Sequence, residues 1–84
     1  MAEIPMVEAF RRRVSEHPGA PALTVADLTL TFEVLDERTD RLARRLVAAG
    51  AGPGRIVALA LPNSVEFIEV ALATLKAGAT PLPL

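Results

Sequence analysis

The glycine-rich segment Gly50-Ala51-Gly52-Pro53-Gly54 is the first place in this sequence to look for a phosphate cradle. A glycine loop that binds nucleotides leaves a strand and opens a helix, so that the first helical amides face the phosphate. The order is reversed in this chain. The segment follows a helical pattern, precedes a strand-like run, and loses one N–H to Pro53, so it predicts a helix-stop turn. His17 is the only histidine; it stands beside Pro18, away from any carboxylate or cysteine at metal or acid–base spacing, and reads as an exposed loop residue. Ser15 and Ser64 lie outside a Gly-x-Ser-x-Gly context, and Ser64 reads as polarity in the first turn of a helix. Glu66 and Glu69 are three apart on one helical face, half of a carboxylate metal site. Without a histidine or a second acidic helix they predict a cap and a solvent face. The run Arg11-Arg12-Arg13 falls late in a helical pattern, where cations complement the helix dipole, and predicts a solvated helix end. No residue is assigned a catalytic, cofactor-binding or metal-binding role.

The elements that carry these side chains must come from 84 residues, of which 51% are hydrophobic and 4% aromatic. A chain of this size buries roughly 60–65% of its unfolded surface, which leaves a thin core. With no cysteine and three phenylalanines as its only aromatics, that core is aliphatic and unstapled. A net charge of −1 lacks the basic footprint of a nucleic-acid binder. No stretch approaches the ~20 apolar residues of a membrane span. The start, Met-Ala-Glu-Ile-Pro, has no apolar signal core, and the expected location is the cytoplasm.

Apolar spacing predicts a helix over residues 5–17, with Val7, Phe10 and Val14 on one stripe, stopped by Pro18-Gly19. Residues 22–25 and 28–30 predict two strands of a hairpin around Ala26-Asp27, a poor match to the favoured Asn-Gly turn. Thr31 is the expected N-cap of a second helix over residues 31–49, ended by Gly50. Its acids precede its bases, so Glu37–Arg41 and Asp40–Arg44 are expected pairs at four-residue spacing. Residues 56–61 form a run apolar on both faces, the pattern of a strand covered on both sides. Asn63 is the expected cap of a third helix over residues 64–77, with Glu66 completing a capping box. A further strand starts at Ala79, which makes a strand–helix–strand crossover, right-handed by precedent. Pro81 and Pro83 project their nitrogens to one side, which predicts a sheet edge there.

Two of these segments carry a resemblance. Leu75-Lys76-Ala77-Gly78-Ala79-Thr80-Pro81-Leu82-Pro83-Leu84 is similar to the second core motif of adenylate-forming (AMP-binding) enzymes. Leu30-Thr31-Phe32-Glu33-Val34-Leu35 resembles their first, with Val34 where the motif has glutamate, which loses the return bond of a capping box. The resemblance covers about residues 7–84. It implies an α/β fold: a short N-terminal helix, a small β-hairpin, a helix and a β-α-β unit, together the opening part of the large domain of an acyl-adenylate-forming synthetase. On this reading residues 1–84 are a partial subdomain, inactive alone. The family's ATP, Mg²⁺ and coenzyme A are held by motifs outside these residues, and the rest of the ligase chain is the expected partner, with self-association through exposed apolar surface when isolated. The family's catalytic lysine lies in a separate small domain, so Lys76 takes only the motif's own place, a helix-terminal charge. Thr80 to Leu84 leans the resemblance toward acyl-CoA synthetases. The alternatives are an adenylation domain of a nonribosomal peptide synthetase and an autonomous small oligomeric interaction module.

Overall fold

The computed structural model describes residues 4–62 and 64–84. Its elements run α1 (Pro5–Glu16), β1 (Pro21–Val25), β2 (Leu28–Thr31), α2 (Phe32–Ala48), β3 (Ile56–Leu59), α3 (Val65–Lys76) and β4 (Thr80–Pro83). This is the expected mixed α/β order.

Proline opens α1, where its missing N–H costs nothing, and His17 ends it with non-helical dihedrals of φ −138° and ψ 59°, donating its N–H to the Arg13 carbonyl at 2.8 Å. The helix thus stops one residue before the expected boundary. The strands β1 and β2 pair antiparallel, with a register shift between Pro21 and Leu23. Thr24 and Thr29 share a hydroxyl hydrogen bond of 3.0 Å across them. The awkward Ala-Asp turn is accommodated by placing Ala26 at φ 54°, a left-handed conformation that costs a non-glycine residue about 1–2 kcal/mol.

Thr31 caps α2 as expected, its hydroxyl accepting from the Val34 N–H at 3.3 Å. Two further N–H groups at this end find carbonyls in the preceding loop: Phe32 donates to Ala20 and Glu33 to Pro18, both at 3.0 Å. Orphan amides of a helix start need such partners, so the loop after α1 fixes where α2 begins. Ser64 caps α3, its hydroxyl accepting from the Phe67 N–H at 3.3 Å. This corrects the reading of Ser64 as mere first-turn polarity. With the cap at Ser64, Glu66 is the second helical residue and cannot close a capping box. Asn63 itself lies outside the described residues.

The hairpin packs on the helices through Leu30, Leu35 and Val65, with Phe10, Ala22, Leu23, Val25 and Leu72 around them. Among the helices, α2 packs most extensively on α3. Both present small buried residues, Thr39 and Ala43 on α2 and Ala73 and Thr74 on α3. The buried threonine hydroxyls are satisfied within their own helices, Thr39 by the Leu35 carbonyl at 2.7 Å and Thr74 by Val70 at 2.6 Å.

The strands β3 and β4 form a separate parallel pair, Ile56 opposite Thr80 and Ala58 opposite Leu82. The ladder ends at Leu59, two residues short of the expected strand. One face of this pair carries buried Leu59; the other does not fit the expectation of two covered faces, because Ile56 and Leu82 on it are 66% and 48% exposed. At the foot of the pair Gly78 adopts φ 83°, and a β-carbon there would meet the Pro53 ring at 3.5 Å.

The strain at Ala26 gives a direct test. Replacing Ala26 by glycine removes the left-handed penalty at an entropic cost of about 0.5–1 kcal/mol. The expected outcome is a urea midpoint raised by roughly 0.5 kcal/mol of stability; a loss of stability would place the turn in another conformation.

Candidate functional site

The sequence-level candidates do not gather in one place. The glycine segment reverses the chain: Gly50 donates to Val47 and Ala51 to Leu46, and the Gly52 carbonyl accepts from Arg55. It leaves a helix and enters β3, so it offers no phosphate cradle. His17 is exposed at the end of α1, as are Arg12 and Arg13. Ser64 is committed to its cap.

Polar groups converge instead on Lys76, where the end of α3 meets α1 and α2. Its ammonium donates to Asp36 Oδ1 and Asp40 Oδ1, both at 2.7 Å, and to the Asp36 carbonyl at 3.2 Å. Three N–H donors thus meet three acceptors, which is the full capacity of a lysine. The side chain is 1% exposed. Phe10 of α1 places its ring 5.2 Å from Nζ and packs against Phe32 at 6.0 Å, and a cation over such a face gains electrostatically. Arg11 approaches the same carboxylates at 3.4 and 3.5 Å.

The expected role of Lys76 as a helix-terminal charge therefore needs correcting. Its α-carbon ends α3, but the charge is turned inward and tied to α2. Asp40 likewise serves Lys76 and Arg11 in place of the expected partner Arg44. Burial alone would raise the Asp40 pKa, but the hydrogen bond and charge of Lys76, with those of Arg11, hold it below its ordinary 3.8.

Glu69 is a second correction. It was expected on a solvent face, yet it is 7% exposed and receives both Nε and Nη2 of Arg38 at 2.9 Å. That two-point geometry is the strong form of an arginine–carboxylate pair. It leaves neither carboxylate oxygen free for a metal, and no group of three or more candidate ligands occurs among the described residues. No described helix is long and apolar enough to cross a membrane.

Sequence reasoning missed both clusters because it treated every charge on an apolar helix as solvent-directed. A signal was present in α3, where Glu69 and Lys76 are seven residues apart and so share one helical face. A shallow groove of about 460 Å³, flanked by Arg11 and Arg44, opens beside the Lys76 cluster. The ammonium itself, enclosed with its donors spent, is built to hold helices together. Such a group is not poised for chemistry.

Removing one partner of a buried ion cluster typically costs about 3–5 kcal/mol, and less where the remaining carboxylates reach water. Lys76→Met is expected to lower stability to urea by about 2–3 kcal/mol, with partial recovery in Lys76→Met/Asp36→Asn. Because the Asp40 pKa is depressed in the fold, its contribution is present above about pH 4 and lost as pH falls through the folded value. The acid limb of stability against pH is therefore expected to be shallower in Asp40→Asn than in the parent chain. An unchanged limb would remove Asp40 from the cluster's energetics.

Known proteins place this architecture. Residues 10–84 match the model of the AMP-binding enzyme family. Novobiocin biosynthesis protein H from Streptomyces niveus is 46% identical over 94% of this chain and 13% of its own length. Surfactin synthase subunit 3 from Bacillus subtilis is 45% identical over 95% of this chain and 6% of its own. Among solved structures, NpsA-ThdA, an artificially fused adenylation-PCP di-domain NRPS from Klebsiella oxytoca, superposes with a TM-score of 0.89 at 28% identity, over 93% of this chain and 15% of that one. A fatty acyl-adenylate ligase from L. pneumophila, solved with acyl adenylate and pyrophosphate, gives 0.84 at 29% identity, over 94% and 15%. The chain thus spans less than a sixth of each of these proteins. Because the family model matches residues 10–84, nearly the whole chain, the chain belongs to the AMP-binding enzyme family.

Proposed function

We propose that these 84 residues are the opening scaffold of the large domain of an adenylate-forming ligase, of the type that serves peptide synthetases as an adenylation domain. The observation that carries this reading is the uncovered face of the parallel pair. Ile56, Ala58, Ala60, Leu82 and Leu84 are all exposed, and Leu84 reaches 83%. Parallel strands occur almost only where both faces are covered. Full burial of a leucine or isoleucine side chain is worth about 1.5–3 kcal/mol, so a second layer on this face would contribute strongly to the fold. The rest of a ligase-length chain is the natural source of that layer.

The lean toward acyl-CoA synthetases, drawn from Thr80 to Leu84, gives way to the peptide-synthetase alternative. Surfactin synthase subunit 3 and a dimodular nonribosomal peptide synthase from Bacillus subtilis are 45% and 44% identical to this chain. Both readings share one activation step, in which a carboxylate attacks ATP to give an acyl-adenylate and pyrophosphate. A thiol then attacks the acyl carbon, forming a thioester and releasing AMP. Residues 1–84 do not hold ATP on this reading: their one glycine turn faces the wrong way, and Glu69, the buried carboxylate of α3, is already paired. Nucleotide, magnesium and acyl pocket belong to the remainder of the ligase.

The test is ATP–pyrophosphate exchange. A ligase-length protein carrying this segment is expected to exchange with an amino or aryl acid in preference to fatty acids. Residues 1–84 alone are expected to give the no-enzyme rate. Exchange by the short chain, or a long protein that turns over only fatty acids, would overturn the respective halves of this assignment.

A further inference from the structure

We infer that the outward face of α2 is a docking surface for the same face of a second copy, packed antiparallel about a two-fold axis. The inference stands on the charge pattern of α2 and does not depend on the ligase reading. Among the described residues, the ion pairs of α2 engage Asp36, Arg38 and Asp40, all turned toward α1 or α3. Glu33, Glu37, Arg41 and Arg44 enter none of them, and all four are exposed. At about 100° per residue they lie within an arc of roughly 80°, so they form one face. That face is acidic in its first half and basic in its second. The helix dipole favours this order, and the order has a further effect.

Reversing one copy on the other brings unlike charges together. With the axis at the level of Thr39, Glu37 stands opposite Arg41 of the second copy, because the two positions lie equally far on either side of it. Glu33 falls one residue, about 1.5 Å of rise, from the level of Arg44 of the second copy. The interface is isologous, so each of these pairs occurs twice. A parallel arrangement would set Glu37 against Glu37 and Arg41 against Arg41, so repulsion fixes the direction. Arginine suits the role, since its planar guanidinium is weakly hydrated and takes a carboxylate at two points. Exposed ion pairs are individually weak and screened by salt. A contact made through one helix face therefore belongs with small, reversible interfaces.

Sedimentation equilibrium on the full-length protein carrying this segment tests the inference; the isolated chain is unsuitable because Ile56 and Leu82 of its β3–β4 pair are also exposed. At low salt the expected result is a concentration-dependent dimer. Its dissociation constant is expected to rise about tenfold or more between ~0.05 M and ~0.5 M sodium chloride, as the charges are screened. Glu37→Arg and Arg41→Glu, each alone, are expected to be monomers that melt close to the parent, as substitutions at exposed positions usually do. Mixed in equal amounts, the two variants are expected to form a heterodimer, because each presents the charge that the other lacks. The double variant Glu37→Arg/Arg41→Glu is expected to recover a homodimer. Glu33→Arg and Arg44→Glu repeat the test at the second level. The mixture separates a lost contact from a lost fold, since misfolded chains would not rescue one another. A protein monomeric at every concentration in low salt would overturn the inference. So would a dimer indifferent to the single substitutions, or single variants that stay monomeric when mixed. A dimer of this pattern in a protein without adenylation would leave the interface standing and remove only the functional reading.

Discussion

A buried ammonium sets the terms on which this small structure holds together. Lys76 ends α3, takes the Asp36 and Asp40 carboxylates of α2 and lies against the Phe10 ring of α1, so one side chain fixes three helices. Stripping a lysine of water is expensive, and the cost is met only where every donor has a partner. This cluster meets that condition with two carboxylates and a backbone carbonyl. In this arrangement of α1 and α3 on α2 every ammonium donor has an acceptor. The Arg38–Glu69 pair repeats the device on the same two helices, which keeps α2 and α3 from sliding past each other on their smooth surfaces of alanine and threonine.

Most of the architecture was legible in the residues. Helix positions followed from apolar periodicity, the α2 cap from Thr31, the helix stops from Gly50 and Gly78, and the blunted edge from two prolines on one parity. These are local signals, in which the physics of a residue and its near neighbours decides. The failures share another origin. Lys76 and Glu69 looked like solvent-facing charges because their partners stand 40 and 31 positions away in sequence, and no pattern within a helix reveals a partner on another. The expected Asp40–Arg44 pair failed for the same reason, since a buried cation outbids an exposed one for the same carboxylate. Ser64 was misplaced by a single residue, within the uncertainty that frays any helix end.

The functional reading has a similar shape. No constellation in residues 4–62 and 64–84 assembles a nucleophile, a base or an anion cradle. What the segment supplies is position: a hairpin and two braced helices carrying a parallel pair whose second face is uncovered.

That sheet also has a polarity. In open α/β sheets, ligands gather in the crevice beyond the carboxyl ends of the strands. Lys76, Gly78 and Pro53 cluster at the other rim, where the chain enters β3 and β4. Drift around Lys76 is filtered by folding, whereas the far rim carries no such cluster among the described residues, so the two rims should diversify at different tempos over evolutionary time.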